Sequence, residues 1–181
     1  MHSALKSNIV LIGMPGAGKS TIGILLAKCS NRGFVDTDVL IQTVERRSLQ
    51  SIIDTEGYLR LRQIEEEVIL SMEIRHHVIA TGGSAVYGEN GMAHLKRDGI
   101  CVYLRLPLEQ LLARISNFST RGITRRPDQT FADVFADRTP LYEKHADIIV
   151  ECGGNQDEVA QSICRQLGCR PGFPCRYCKP T

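Results

Sequence analysis

The segment at residues 13–20 has the spacing of glycines, lysine and hydroxyl that binds nucleotide phosphates. It is GMPGAGKS, which fits G-x-x-x-x-G-K-[S/T], with an apolar stretch before it and a helical pattern after it. The glycines allow backbone N–H groups to converge on phosphate oxygens, and the helix adds its positive dipole end. We expect Lys19 to reach the β- and γ-phosphates and the Ser20 hydroxyl to ligate Mg²⁺. The residues predicted to contact the nucleotide are Gly13, Met14, Pro15, Gly16, Ala17, Gly18, Lys19, Ser20 and Thr21.

Two aspartates separated by one residue are the second candidate for chemistry. In GFVDTDVLI, residues 33–41, Asp36 and Asp38 stand at the end of a predicted strand. Side chains alternate along a strand, so both carboxylates are expected to point the same way and to repel unless a cation or a donor lies between them. We predict that Asp36 holds Mg²⁺ through water and that Asp38 accepts a hydrogen bond from the hydroxyl that attacks the γ-phosphate. The alternative for Asp38 is capping of the helix that begins beside it.

A phosphate-binding loop occurs in several classes of protein, and the rest of the chain narrows the choice. No N-K-x-D guanine-recognition motif is present, which argues against a GTPase. No run of four apolar residues ends in an acidic pair of the Walker B type, which argues against a motor ATPase. The length of 181 residues allows one domain with a hydrophobic core. These features favour a small-molecule kinase.

The composition is that of an ordinary globular protein, with 43% apolar and 23% charged residues. A net charge of +2 is too small to indicate nucleic acid or an acidic membrane as a partner. Sixteen of the 22 basic residues are arginine, the side chain suited to bidentate binding of carboxylate or phosphate. No apolar run is long enough to span a bilayer and no secretory signal pattern precedes the first strand, so we expect a cytoplasmic protein.

Short apolar segments alternate with helical patterns along the chain, which predicts a parallel sheet covered by helices on both faces. The predicted strands are residues 8–13, a short strand ending at Asp36, 77–83, 99–106 and 146–151. The predicted helices are residues 19–30, a stretch starting near Asp38, 57–74, 108–115 and 155–168. The side chains expected to be buried in the helix at 57–74 are Leu61, Ile64, Val68 and Met72.

Five motifs carry a resemblance to a known family. They are, in order, the phosphate loop, FVDTD, RLRQIEEEVI, ATGGSAV and DRTPLYEKHAD, and together they resemble the shikimate kinase family over residues 8–168. The resemblance implies an α/β P-loop fold of the nucleoside-monophosphate-kinase type: a three-layer sandwich with a five-stranded parallel sheet of order 2-3-1-4-5, a helical substrate-binding region and a mobile lid. It also implies that ATP, with Mg²⁺, phosphorylates the 3-hydroxyl of shikimate in chorismate and aromatic amino-acid biosynthesis.

The resemblance also implies roles for individual residues. Asp38 corresponds to the aspartate that binds the shikimate hydroxyls and helps to activate the attacking one, and Asp36 corresponds to the partner of Mg²⁺. Gly82 and Gly83 correspond to glycines whose backbone lies against the substrate ring. The family usually has a third glycine where this chain has Ser84, whose side chain is expected either to crowd the nucleotide side or to add a hydrogen bond.

Arg62 and Arg138 correspond to the arginines that bind the substrate carboxylate. A small carboxylic acid with several hydroxyls calls for bidentate arginines at one end and a carboxylate acceptor at the other, which agrees with these assignments. The alternative for Arg62 is a solvated helix residue paired with Glu65 or Glu66. The alternative for Arg138 is a position in a surface turn.

The segment from Gln110 to Pro127 is predicted to form part of the lid. It contains no acidic residue, and its arginines are Arg114, Arg121, Arg125 and Arg126. Such a segment suits closure over a triphosphate, where arginine stabilises charge on the transferring group. We place the lid at about residues 114–130 and predict that Arg121 binds the nucleotide and acts in catalysis. Arg126 is the rival for this role, and a solvated basic loop is the alternative for the segment.

The last residues differ in composition from the rest. We predict a kinase domain at residues 1–168 and a Cys/Pro-rich tail at 169–181. The C-x-x-C pair Cys175 and Cys178, with Cys169, suggests a structural zinc site, whereas an ordinary thiol-bearing tail is the simpler interpretation. Cys164 is expected to be buried in the preceding helix.

The protein is expected to act as a monomer on shikimate and ATP. Two other functions are compatible with the phosphate loop: a kinase for another small hydroxy acid such as gluconate, and a nucleotide-binding regulator without catalysis. The intact Lys19, Ser20, Asp36 and Asp38 argue against the regulator.

Overall fold

The computed structural model describes residues 6–115 and 122–168, and a five-stranded parallel sheet lies at its centre. The strands are β1 (Asn8–Ile12), β2 (Gly33–Asp36), β3 (His77–Ala80), β4 (Gly99–Arg105) and β5 (Ile148–Glu151). Their order across the sheet is β2-β3-β1-β4-β5, and every neighbouring pair is parallel. The predicted strands and their order are therefore confirmed. The three central strands are buried on both faces along most of their length, which explains why they are mainly apolar instead of alternating.

Eight helices and one short 3₁₀ turn surround the sheet in the described ranges. They are α1 (Lys19–Ser30), α2 (Thr37–Glu45), α3 (Leu49–Glu56), α4 (Tyr58–Ser71), the 3₁₀ turn (Ala85–Tyr87), α5 (Glu89–Asp98), α6 (Leu108–Arg114), α7 (Phe131–His145) and α8 (Gln156–Gln166). Helices α3, α5 and α7 have no counterpart among the predicted helices. Helix α7 begins with a capping box at Thr130 and Asp133 and continues through Pro140, a residue that normally ends a helix.

Two hydrophobic clusters hold these elements together. The larger one, the sheet core, contains the strands and the inner faces of the helices packed on them. The smaller one, here called the arm cluster, joins helices α2, α3 and α4 and consists of Ile41, Ile52, Leu61, Ile64 and Val68. The predicted burial of the α4 side chains is confirmed, but Met72 belongs to the sheet core and the other three to the arm cluster. Helix α4 therefore connects the sheet to a separately packed helical arm, α2–α4.

None of the helices in the described ranges is long and apolar enough to cross a membrane.

The arm cluster yields a prediction for stability. Ile52 is fully buried between the three arm helices, whereas Ile24 on α1 is 55% exposed. Replacing Ile52 by alanine removes buried methyl groups and leaves a cavity, so Ile52→Ala is expected to lower the free energy of unfolding by about 2–4 kcal/mol. The matched change Ile24→Ala is expected to shift it by no more than about 0.5 kcal/mol. Urea unfolding followed by circular dichroism measures both; equal losses would contradict the proposed packing.

Candidate active site

A cleft of about 660 Å³ opens where the first three strands end. Its walls are the segments that directly follow β1, β2 and β3, the position at which parallel α/β sheets bind ligands. Helix α7, the segment after residue 121 and the start of α8 complete it. The residues of the predicted site that line this cleft are Pro15, Gly16, Gly18, Lys19, Ser20, Thr21, Asp38, Gly82, Gly83 and Arg138. Gly13, Met14 and Ala17 are not among its lining residues, and the side chains of Met14 and Ala17 are buried.

The phosphate loop bends tightly between β1 and α1. Gly16 has φ +85°, and a Cβ at this position would lie 2.9 Å from the Ile115 side chain, so both conformation and space require glycine. Lys19, the first residue of α1, is almost fully buried and its Nζ donates to the carbonyl oxygens of Gly13 at 2.7 Å and Met14 at 3.0 Å. These two bonds hold the ammonium group inside the loop. The loop and the N-terminus of α1 together present donors to an anion.

Burial lowers the pKa of Lys19 from 10.5 to about 8, because the charged form loses hydration. The carboxylate of Asp38 opposes this effect, and the positive charge of Arg138 adds to it. Lys19 is therefore cationic below pH 8 in the unliganded cleft and neutral above it.

Asp36 and Asp38 have different surroundings. Strand β2 ends at Asp36 and α2 begins at Thr37, so the expectation that both carboxylates share one strand face is wrong. Asp36 is the N-cap of α2: its Oδ1 accepts from the backbone N–H of Asp38 at 3.0 Å and of Val39 at 3.4 Å, and its Oδ2 accepts from Ser20 Oγ at 2.5 Å. The capping role that was considered for Asp38 thus belongs to Asp36.

Asp38 lies in the first turn of α2 and lines the cleft opposite the loop that follows β3. A Cβ at Gly82 would lie 2.7 Å from Asp38 Oδ1 and would collide with Glu65 Oε1, so the two carboxyl groups converge on this glycine. The backbone N–H of Gly82 donates to Thr37 Oγ1 at 2.9 Å, which fixes the loop against α2. A larger residue at position 82 would have to displace one of these carboxyl groups.

Glu65 is a buried carboxyl group of the cleft that sequence reasoning considered only as a surface partner of Arg62. Its side chain is 4% exposed and accepts a short hydrogen bond from Ser84 Oγ. The pKa of Glu65 is raised from 4.5 to about 7, mainly by burial and also by the charge of Asp38, while the bond from Ser84 acts to lower it. The signal was present in the sequence: a glutamate at 65 continues the buried stripe formed by Leu61, Ile64 and Val68.

The structure shows which of the two expected effects Ser84 has in place of the family's third glycine. The Ser84 hydroxyl is directed at Glu65, so this side chain adds a hydrogen bond instead of crowding the nucleotide side.

Arg138 is fully buried on α7 and faces the cleft. Its Nη2 donates to the carbonyl oxygen of Thr124 and, at 3.0 Å, to Thr124 Oγ1. The alternative of a surface turn is therefore wrong for Arg138. Tyr142, one turn later, donates to the carbonyl oxygen of Gly83 at 2.6 Å and stacks on Tyr103 with ring centroids 5.1 Å apart. These contacts tie α7 to the loop that follows β3.

Arg62 is half-buried and lines an adjoining cavity of about 280 Å³ that shares Glu65 and Ser84 with the cleft. Its guanidinium carbon lies 3.8 Å from the centre of the Tyr87 ring, the same ring that Arg138 approaches at 5.5 Å. Within the described ranges neither arginine forms an ion pair, and the buried Nε atom of each has no hydrogen-bond partner. The pairing of Arg62 with Glu65 or Glu66 is thus not observed among the described residues.

Only part of the predicted lid lies within the described residues. Arg121 lies outside the described residues. Arg126 is 59% exposed, lies 3.8 Å from Asp137 and does not line the cleft, while Arg114 does. The backbone N–H of Gly122 donates to Gln50 Oε1 on α3 at 2.8 Å, so the predicted lid contacts the helical arm at residue 122.

The nucleotide side of the cleft also includes residues that were not predicted to be part of the site. Gly154, Asn155 and Gln156 line it at the start of α8. Asn155 caps this helix, because its side chain accepts from the backbone N–H of Asp157 at 2.9 Å. A capping pattern shows where a helix begins but not which cavity its first turn faces, so their place in the cleft was not foreseeable.

Metal-ligand clusters are absent from the described ranges: no three His, Cys, Asp or Glu residues there are grouped to hold a metal ion. The candidate zinc ligands Cys169, Cys175 and Cys178 lie outside the described residues, so the zinc hypothesis gains no support. Cys164 is buried in α8 as predicted.

Comparison with known proteins identifies the family of this chain. The shikimate kinase family model matches residues 15–168. A shikimate kinase of Nitrosospira multiformis is 37% identical over 168 residues, which cover 91% of this chain and 86% of that protein. A shikimate kinase from Acinetobacter baumannii, solved in complex with shikimate, has a TM-score of 0.83 at 32% identity, covering 91% of this chain and 93% of that one. The shikimate kinase from Aquifex aeolicus has a TM-score of 0.77 at 32% identity, covering 89% and 96%. On this sequence and structural similarity, the chain belongs to the shikimate kinase family.

Proposed function

We propose that the protein transfers the γ-phosphate of ATP to the 3-hydroxyl of shikimate, giving shikimate 3-phosphate and ADP. Membership of the shikimate kinase family supports the reaction. The observation that carries the assignment is the pair Arg62 and Arg138, two guanidinium groups beside one ring, each with a buried Nε that lacks a partner among the described residues. Burying such donors unpaired is costly, and a bound carboxylate would satisfy them.

At the nucleotide end, the phosphate loop and Lys19 bind the triphosphate. The backbone N–H groups of the loop and the ammonium group of Lys19 orient the γ-phosphate toward the acceptor. The Ser20 hydroxyl would ligate Mg²⁺ directly, and Asp36, which accepts a hydrogen bond from this hydroxyl, would hold the ion through water, since this ion takes oxygen donors and keeps several waters. When bound, Mg²⁺ neutralises charge on the phosphates.

At the acceptor end, Arg62 and Arg138 bind the carboxylate and the backbone of Gly82 and Gly83 lies against the ring. Asp38 accepts the proton of the attacking hydroxyl at its carboxylate, since it lines the cleft beside Lys19 and Gly82. The neighbouring carboxyl group of Glu65, with its raised pKa, remains partly protonated near neutral pH, which limits repulsion between the two groups.

The remaining parts of the proposal concern the domain bounds, the lid and the oligomeric state. We assign a kinase domain to residues 1–168 with a lid at about 114–130, and we assign to Arg121 the stabilisation of charge on the transferring phosphoryl group. A monomer is sufficient for this chemistry, because all of the proposed substrate-binding residues come from one chain.

The reaction itself is tested with a panel of acceptors. With ATP and Mg²⁺, shikimate is expected to yield ADP at a kcat/KM at least about a hundredfold above that for gluconate, because gluconate lacks the ring that fits between the glycines and the arginines. A coupled ADP assay measures the rates, and phosphorus NMR identifies the phosphorylated position. Preference for gluconate, or ATP binding without turnover of any acceptor, would overturn the proposal.

If Arg62 and Arg138 bind the carboxylate of the substrate, mutating either of them should change the KM for shikimate. Arg62→Ala and Arg138→Ala are expected to raise the KM for shikimate at least about tenfold, since each removes charged hydrogen bonds to the substrate, with little change in the KM for ATP. Because Arg138 is buried, Arg138→Lys serves as a milder variant that keeps the charge but not the bidentate geometry.

The matched control for these arginine variants is Arg60→Ala on the same helix. Arg60 pairs with Glu67 at 3.1 Å and with Glu56 at 3.7 Å on the outer face of α4. Its loss is expected to leave both KM values within about twofold of the wild type. If Arg60→Ala raised the KM for shikimate as much as Arg62→Ala does, the carboxylate assignment would be wrong.

The lowered pKa of Lys19 predicts how ATP binding depends on pH. Only the cationic form attracts the triphosphate, and bound phosphate favours that form, so binding is coupled to proton uptake above the unliganded pKa of about 8. The affinity for ATP is therefore expected to be constant below pH 8 and to fall up to about tenfold per pH unit above it. Calorimetry in buffers of different ionisation heat measures both the affinity and the protons taken up.

Glu65→Gln is the control for this pH dependence, because Glu65 is the other cleft group that titrates near neutrality. The fall above pH 8 should persist in this variant. A flat profile from pH 7 to 9.5 in Glu65→Gln would show that Lys19 is not the titrating group.

A further inference from the structure

Tyr87 is an aromatic residue beside both proposed carboxylate-binding arginines. It ends the 3₁₀ turn that follows Gly82 and Gly83, and its backbone N–H donates to the carbonyl oxygen of Ser84 at 3.0 Å. Its ring centre lies 3.8 Å from the guanidinium carbon of Arg62 and 5.5 Å from that of Arg138. The loop that supplies the backbone of the proposed substrate site therefore also supplies a ring that contacts both arginines.

The two arginines create an electrostatic problem in the empty site. Both guanidinium groups lie near one ring, and like charges repel. Burial lowers the pKa of Arg62, and the positive charge of Arg138 contributes to the same direction. Among the described residues, no carboxylate forms an ion pair with either arginine. Thr124 holds Arg138 through Nη2, but the two cations need a further group between them before the acid arrives.

An aromatic ring solves this problem in a way that a carboxylate could not. The face of the ring carries partial negative charge and attracts a guanidinium group stacked on it. It forms no hydrogen bonds to the in-plane N–H donors, so those that Thr124 does not occupy stay available to a carboxylate. A glutamate in the same place would occupy those donors and repel the incoming carboxylate.

We propose that Tyr87 is a positioning residue of the acid-binding end: its ring holds Arg62 and Arg138 beside the cleft with their N–H groups available to a carboxylate. This inference rests on the proposed function, because it concerns the acceptor of that reaction. Through these arginines, Tyr87 contributes to the preference for an acceptor that carries a carboxylate. Sequence reasoning did not single out this residue, since nothing in ATGGSAVY places the ring near arginines on α4 and α7.

The test compares Tyr87→Leu, which removes the ring, with Tyr87→Phe, which keeps it. Tyr87→Leu is expected to raise the KM for shikimate about tenfold, with the KM for ATP and kcat within about twofold of the wild type. Tyr87→Phe is expected to stay within about twofold for all constants, because phenylalanine has the same ring face. Tyr58→Leu is the matched control. The ring centre of Tyr58 lies 5.3 Å from the guanidinium carbon of Arg62, but Tyr58 has no described contact with Arg138. The KM for shikimate is therefore expected to change by no more than about threefold.

A second acceptor distinguishes the positioning role of Tyr87 from a general loss of structure in the Tyr87→Leu variant. In the alcohol analogue of shikimate, a hydroxymethyl group replaces the carboxylate, so the arginines lose their charged partner. Tyr87→Leu should weaken binding of shikimate but not of this analogue. Equal losses for both acceptors would show a merely structural role, and unchanged shikimate binding in Tyr87→Leu would overturn the inference.

Calorimetric binding of shikimate to the wild type and the variants gives the same comparison without turnover. If the wild type binds shikimate but does not phosphorylate it, the proposed function fails while the Tyr87 comparison still decides the inference. If the wild type does not bind shikimate at all, both are wrong.

Discussion

The burial of cationic side chains at the cleft is the constraint on which the rest of the site depends. Arg138 is fully buried with its Nε unpaired, and Lys19 is held in the phosphate loop by two carbonyl oxygens. An isolated charge away from water is unfavourable by several kcal/mol unless neighbouring groups compensate it. Thr124 and the ring of Tyr87 compensate Arg138 in part, and an anionic ligand would complete the compensation. The cleft is thus built to bind anions.

Groups of opposite charge line this cleft together. They are the ammonium group of Lys19 in the phosphate loop, the carboxyl groups of Asp38 and Glu65, and the guanidinium group of Arg138. An acceptor that carries both a carboxylate and hydroxyls matches this set, because its hydroxyls can meet the carboxyl groups and its carboxylate can meet the arginines. The charges also act on one another, since Asp38 raises the pKa of Lys19 and Arg138 lowers it.

Features encoded by local patterns could be predicted from the sequence, whereas those that depend on tertiary contacts could not. The phosphate loop and the buried strands have local signals, and the strand order followed from the family resemblance. Helix α7 was not predicted because Pro140 interrupts its pattern, although the capping box at Thr130 marks its start. The environment of Glu65 was missed because a run of three glutamates suggests a solvated face, although position 65 continues the helical spacing of the buried residues Leu61, Ile64 and Val68. The same-face argument for Asp36 failed because the strand ends there.

The division of the apolar side chains into a sheet core and an arm cluster has a consequence for how such an enzyme changes over time. The arm cluster involves five buried residues, and Arg62 and Glu65 stand on the helix that it anchors. The phosphate loop is supported by the sheet core instead. Leu40 packs against both clusters, so the two meet at this side chain. Substitutions that are far from each other and share no partner have nearly additive effects. Mutations in the arm away from Leu40 can therefore alter acceptor preference while the phosphate loop keeps the support of the sheet core.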